Sequence, residues 1–302
     1  MTYAEETLQF IIETISIRHA SEVFLNRKLD LSAEPGEDTF TASDILSLLP
    51  LFTPNSAGSP VERARMTLIA AAQLIPSLAR LLGLQAAASE PQELSSHLLD
   101  KNLNDSATEL KDRLDRHGSD KANKHNYHLL YSQILRRPID VKGIFEIGLG
   151  TNNTDVLSNM GEGGKPGASL RAFRDFCPNA QIFGADIDTR ILFEETRIKT
   201  FFVDQTNYDS FKELRKAIPN SLDLVIDDGL HSPNANLTTL CFGLSVIKPG
   251  GWVVIEDISG SAVPLWQLVG KLLSPRHKAT LYRAEDGYLF AVQSASDLPT
   301  TS

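Results

Sequence analysis

Two apolar runs that stop abruptly in acid constrain this chain more than any other feature. The first is Leu222-Asp-Leu-Val-Ile-Asp-Asp-Gly-Leu-His231 and the second is Trp252-Val-Val-Ile-Glu-Asp257. Short runs rich in Val and Ile read as strands buried on both faces, as in a parallel sheet. Neighbouring strands lie about 4.8 Å apart. If these two are neighbours, the carboxylates of Asp227, Asp228, Glu256 and Asp257 converge at one sheet edge, with His231 beside them. That much anionic charge next to a hydrophobic core is costly unless it is paired. Hard oxygen donors clustered in this way suit magnesium, manganese or calcium better than zinc. The clustering therefore points to a divalent cation held among Asp227, Asp228, Glu256 and Asp257. His231, three residues past Asp228, is placed to take a proton from a hydroxyl whose pKa a cation has lowered. In the bland reading, Asp227 caps a turn, Glu256 and Asp257 open a polar loop, and His231 is a surface residue.

From Lys142 onward the pattern alternates. Strands are expected at 143–147, 181–186, 199–203, 222–227 and 251–256, with helices at 169–176, 208–218, 234–247 and 263–273. Two further apolar runs flank Asp286-Gly287, a hairpin signal. This predicts an α/β fold: a doubly wound, mostly parallel, seven-stranded, Rossmann-like sheet. Upstream, Leu8, Ile11, Ile12 and Ile15 follow helical spacing. Helices are also expected at 42–49 (capped by Thr41 or Ser43), 61–84 with a break near Pro76, 103–114, and from Tyr127 to Pro138. The expected organisation is a smaller all-helical domain over 1–105 and a catalytic domain over 106–302.

The first strand ends in Glu146-Ile-Gly-Leu-Gly150. Gly148 and Gly150 allow a tight turn and close approach to a nucleotide-type ligand, although a plain turn fits equally. The second strand ends in Gly184-Ala-Asp-Ile-Asp188. Asp186 sits where an acid accepts hydrogen bonds from ribose hydroxyls, whereas Asp188 suits a simple cap on the next helical turn. Asp204 and Gln205 close the third strand and suit either an adenine amino group or a surface turn. Residues 151–167, rich in Asn and Gly, read as a long loop over a cofactor or acceptor. Lys248-Pro-Gly-Gly251 reads as a turn feeding the fifth strand.

The net charge of −9 argues against nucleic acid as a partner, because phosphate binding needs a basic face. The two cysteines, Cys177 and Cys241, cannot build a disulfide framework and form no CxxC pair. Their expected state is reduced and buried, which suits a cytoplasmic location. The acidic start, Met1-Thr-Tyr-Ala-Glu-Glu, does not read as a secretory signal. The stretch from Leu68 to Leu84 contains Gln73, Pro76 and Arg80, so it reads as core helix and no membrane association is expected.

These motifs resemble the class I S-adenosylmethionine-dependent methyltransferases, whose usual plan is five parallel strands closed by a hairpin. More narrowly they are similar to the metal-dependent sugar O-methyltransferases of macrolide biosynthesis, of the mycinamicin and tylosin type. The resemblance spans about 115–293. It rests on His117-Gly-Ser-Asp-Lys121, Phe145 to Gly150, Gly167-Ala-Ser-Leu-Arg171, Ala185-Asp186, Asp204-Gln205, Ile226 to His231 and Val254 to Asp257. It implies S-adenosylmethionine held around Glu146, Gly148, Ser169, Asp186 and Asp204, with Asp227 toward the sulfonium. It implies magnesium at Asp228, Glu256 and Asp257, and His231 as general base. The expected acceptor is a hydroxyl of a small-molecule natural product, a sugar or other vicinal diol. The resemblance also implies a homo-oligomer assembled through the N-terminal helices. Two other readings stand beside it: an antibiotic-pathway hydroxylase-like protein on the same fold, and a non-catalytic cofactor-binding scaffold.

Overall fold

The apolar runs at 143–147 and 222–227 form strands in which every residue is buried, as in the middle of a sheet covered on both faces. The computed structural model describes residues 28–34, 39–48, 59–65, 68, 90–97, 101–156, 158–273 and 276–295. The helix expected at 8–15 and most of that expected at 61–84 lie outside them. The chain divides into two units. One comprises 1–88, 232–234 and 261–268; the other comprises 89–231, 235–260 and 269–302.

In the first unit, Lys28–Leu29 pairs in parallel with Thr39–Phe40. Helix α1, Ala42–Leu48, opens on a reciprocal cap. Thr41 N–H donates to Asp44 Oδ2 at 2.9 Å, and Asp44 N–H donates to Thr41 Oγ1 at 3.4 Å.

The second unit holds a nine-stranded sheet. Its strands are β1 (Gln92–Glu93), β2 (Gly143–Ile147), β3 (Gln181–Asp186), β4 (Glu194–Glu195), β5 (Ile198–Phe202), β6 (Leu222–Asp227), β7 (Ile247–Ile258), β8 (His277–Arg283) and β9 (Tyr288–Ser294). The spatial order is β1-β8-β9-β7-β6-β2-β3-β5-β4. Strands β7, β6, β2, β3 and β5 run parallel, and β8–β9 is the expected antiparallel hairpin. The count exceeds the seven expected because β1 and β4, two residues each, add one strand to each edge. Such short strands carry no alternation for a sequence reading to detect. Strand β7 begins earlier and ends later than expected, so Glu256 and Asp257 lie within its last three residues. Its pairing with β6 jumps from Leu222↔Ile247 to Leu224↔Trp252, so Lys248-Pro-Gly-Gly251 forms a bulge.

Helices α2 (Lys101–His117), α3 (His128–Ile134), α4 (Ala168–Phe176), α5 (Tyr208–Ala217), α6 (Pro233–Val246) and α7 (Val263–Leu273) follow, and residues 60–65 are helical as well. Strand side chains alternate between two layers. Ile144, Ile182, Leu224, Ile226 and Val254 share a core with Leu110 and Leu114 of α2, Tyr131 of α3 and Phe173 of α4. On the other face, the Phe145 ring meets Phe242 of α6, which meets Phe211 of α5. Among the described residues no helix is long and apolar enough to cross a membrane.

The chain runs outward from β2 through β3 to β5, then returns to the far side of β2 as β6. The order of strands therefore reverses at β2/β6, where ligands bind in open α/β sheets. Gly148 ends β2 at φ +91°, and a Cβ there would lie 1.9 Å from the Asp228 carbonyl oxygen. Replacing Gly148 with Ala is expected to destabilise the fold by about 2 kcal/mol or more. Denaturant unfolding checks this, and an unchanged midpoint would refute the backbone contact.

Candidate functional site

The β2 turn is built around Asp186. Its Oδ2 accepts from Leu149 N–H at 2.7 Å and its Oδ1 from Asp188 N–H at 2.8 Å. Burial raises the Asp186 pKa, and the backbone donors oppose that rise. Asp188 caps a 3₁₀ turn through Arg190 N–H and also anchors the long loop. Thr151 Oγ1 and Asn153 Nδ2 donate to its Oδ2 at 2.6 and 2.7 Å. Arg190 bridges Asp188 and Asp155. Farther along, Ser158 Oγ donates to the Gly229 carbonyl at 2.8 Å. The loop after Gly150 is thus pinned to the ends of both β3 and β6.

Asp204 folds back on its own turn and accepts from Thr206 N–H and Oγ1 at 2.9 and 2.6 Å. Gln205 is buried and turns inward. Its Nε2 donates to Asp227 Oδ1 and to Thr239 Oγ1, each at 2.8 Å, while its Oε1 accepts from Leu230 N–H at 2.8 Å. Fully buried Asp227 also accepts from Gly229 N–H at 3.2 Å and from Asn236 Nδ2 at 3.0 Å. The structure therefore joins Gln205 and Asp227 in one internal network that shapes the loop from Asp227 to His231. His231 and Asp257 both hold the left-handed region, at φ +56° and +53°. Non-glycine residues stay there only when their surroundings impose it.

Asp228, Glu256 and Asp257 do converge, and two elements absent from the sequence-based site complete the cluster. Lys121, in the turn after α2, is 2% exposed. Its Nζ lies 2.5 Å from Asp228 Oδ2 and 3.1 Å from Glu146 Oε1, and it also donates to Glu256 Oε2. Tyr131 of α3 donates to the other Glu256 oxygen, and Tyr127 donates to Asp257 Oδ1 at 2.5 Å. Ser169 Oγ, from α4, donates to Glu146 Oε2 at 2.7 Å. His231 Nε2 stands 3.6 Å from Asp257 Oδ2. His125 Nδ1 approaches Asp257 Oδ1 at 3.8 Å, and its ring stacks on Tyr127.

The environments of the acids differ. Burial pushes the Glu256 pKa well above the usual carboxylate range, although Lys121 opposes this. Burial likewise raises Asp228 and Glu146, again against Lys121. Asp257 also suffers burial, but His231 and the Tyr127 hydroxyl outweigh it and hold its pKa low. Lys121 itself stays cationic, because Asp228, Glu256 and Glu146 outweigh its desolvation.

One ligand atom each from Asp228, His231 and Asp257 lie within 4.8 Å of one another. Both Glu256 oxygens, by contrast, already carry protein donors. Carboxylate oxygens gathered to this extent match the donor set of a hard divalent cation. Lys121, Tyr127 and Tyr131 were legible in one respect: the tyrosines are four residues apart, on one face of a helix. Nothing in the sequence says that this face meets β7.

No family model matches the chain. Its sequence is 31% identical over 153 residues to the 8-demethyl-8-alpha-L-rhamnosyl tetracenomycin-C 2'-O-methyltransferase of Streptomyces olivaceus, covering 50% of this chain and 38% of the relative. It is 38% identical over 93 residues to the mycinamicin VI 2''-O-methyltransferase of Micromonospora griseorubida, covering 30% of this chain and 23% of the relative. The chain thus spans between 23% and 38% of the length of the curated relatives it matches. Among solved structures, the MycE methyltransferase of the mycinamycin pathway, in complex with Mg and SAH, superposes with a TM-score of 0.50 at 23% identity. That match covers 82% of this chain and 66% of the other. The fold is therefore the Rossmann-like methyltransferase fold.

Changing Gln205 to Leu strips a donor from buried Asp227 and an acceptor from Leu230 N–H. The expected loss of stability is about 1–3 kcal/mol. Urea unfolding measures it, and a loss below about 0.5 kcal/mol would show the network to be dispensable.

Proposed function

We propose that this chain transfers a methyl group from S-adenosylmethionine to a hydroxyl oxygen of a small-molecule natural product, with the help of a divalent cation. One observation carries the reading. The acids Asp228 and Asp257 and the imidazole of His231 gather beside the glycine turn at the strand-order reversal of a methyltransferase fold. The named sequence relatives are sugar O-methyltransferases of antibiotic pathways, which supports a sugar or other vicinal diol as acceptor and disfavours the hydroxylase-like and scaffold alternatives.

In this reading, Glu146, Gly148, Gly150, Ser169 and Asp186 line the cofactor side, with Asp204 at the β5 end. Asp186 is the ribose acceptor, held in place by the Leu149 and Asp188 amides. Gln205 and Asp227 serve that side through the network that shapes its wall. When bound, S-adenosylmethionine supplies a methyl group activated on a sulfonium. Asp228 and Asp257, with Glu256 as the third acid, would hold magnesium, or manganese or calcium in its place. When bound, the cation supplies Lewis acidity that lowers the pKa of an acceptor hydroxyl. His231 takes the proton from that hydroxyl, and the Asp257 carboxylate, 3.6 Å from Nε2, stabilises the imidazolium that results. Holding both reactants at one sheet edge lowers the barrier through orientation. Self-association through residues 1–105 and a cytoplasmic setting belong to the same reading. The first rests on the family resemblance and the second on two free cysteines, of which Cys177 is buried as expected whereas Cys241, on α6, is exposed.

The test is transfer of labelled methyl from S-adenosylmethionine to a panel of rhamnosides and related glycosides. Changing His231 to Ala should cut turnover about 10²- to 10⁴-fold while S-adenosylhomocysteine affinity, measured by calorimetry, stays within about twofold. Undiminished turnover would remove His231 as the base. EDTA should abolish transfer and added magnesium should restore it. Full activity in chelator would defeat the metal role.

A further inference from the structure

We infer that Lys121 is a resident counter-ion: its ammonium holds the acid cluster together in the absence of a divalent cation and competes with that cation for Asp228 and Glu256. The inference rests on the proposal that these acids and Asp257 bind the metal.

Glu146 and Glu256 are 0% and 1% exposed, and Lys121 is 2% exposed. Each of these groups alone would be expensive to bury as an ion. Together they compensate one another, because one Nζ reaches three carboxylates that belong to the ends of three different strands: β2, β6 and β7. Among the described residues, no other lysine or arginine pairs with any of these three acids.

The charge balance gives such a group a use. Fully ionised, Glu146, Asp228, Glu256 and Asp257 with one ammonium leave three negative charges. A divalent cation reduces this to one, which a sulfonium would neutralise. Lys121 therefore supplies part of the compensation permanently, and the rest is left for ligands. The same ammonium must also repel an incoming cation and occupy oxygens that the cation needs. Asp228 Oδ2 is already in contact with Nζ, and both Glu256 oxygens carry donors, from Lys121 and from Tyr131.

A purely structural role makes the opposite prediction about metal affinity. If Lys121 only braces the fold, removing it disorders the acids and weakens metal binding. If it is a counter-ion, removing it leaves a more negative site that binds metal more tightly. The experiment measures magnesium binding by calorimetry, manganese binding by electron paramagnetic resonance, and melting temperature with and without magnesium. It compares the full chain with its Lys121→Met and Lys121→Arg variants, all without cofactor. Lys121→Met is expected to melt lower than the wild type without metal, to recover most of that loss in saturating magnesium, and to bind the ion about tenfold more tightly. Lys121→Arg, which keeps the charge, should stay near wild-type affinity. Magnesium affinity that is unchanged or weaker in Lys121→Met overturns the inference and leaves the metal site standing. A wild-type protein that binds neither ion overturns both. If Lys121→Met does not fold even with magnesium, a manganese-soaked crystal of the wild type decides. Movement of Nζ out of hydrogen-bonding reach of Asp228 Oδ2 supports the competition, and a retained contact refutes it.

Discussion

A buried ammonium surrounded by carboxylates sets the terms for the whole carboxyl edge of the sheet. Strands β2, β6 and β7 can carry Glu146, Asp228 and Glu256 side by side near their carboxyl ends only because Lys121 absorbs part of their mutual repulsion. The lysine is tolerated in turn only because those acids outweigh its desolvation. The segment that delivers it, the turn from α2 into α3, also delivers Tyr127 and Tyr131 to Asp257 and Glu256. One short stretch of chain thus supplies most of the compensation for charges that come from three strands.

Around this electrostatic centre the backbone is held closely. The glycine turn after β2 lies against the Asp228 carbonyl with no space for a side chain. The loop after β6 is tied from below by Gln205, Asn236 and the Asp227 carboxylate. These ties account for His231 keeping a left-handed backbone that costs an ordinary residue of order 1–3 kcal/mol. The proposed base and metal ligands therefore stand on a fixed floor, as a site that relies on orientation requires. The long loop over 151–167 is fastened to Asp188, Arg190 and Gly229, so it contributes a wall at the same edge.

Much of this was legible in the residues. The alternation of apolar runs and helical faces placed all five parallel strands and the closing hairpin, most clearly for the central strands, whose burial on both faces leaves a mainly apolar run. The acids near the strand ends were legible because each follows an apolar run, although Glu146, Asp227 and Glu256 are themselves buried. The two-residue edge strands were not, since Gln92–Glu93 and Glu194–Glu195 look like any polar linker. The inward turn of Gln205 was also hidden. An amide at a strand end suits a ligand and a buried carboxylate equally, and only the position of Asp227 decides between them.

By itself, then, the sequence determined the order and type of the elements, and which residues stand at the carboxyl ends of the strands. Both are local properties, written in side-chain periodicity and in where polarity breaks it. Only the tertiary structure decided how the charges are settled. Lys121 lies 107 residues from Asp228 and 135 from Glu256, and no local pattern encodes a contact over such a span. Carboxylates expected to await a metal turn out to hold an ammonium and two phenols as well. Whether a buried charge is compensated depends on every group that folding brings within a few ångströms of it, and that set exists only once the chain has closed on itself.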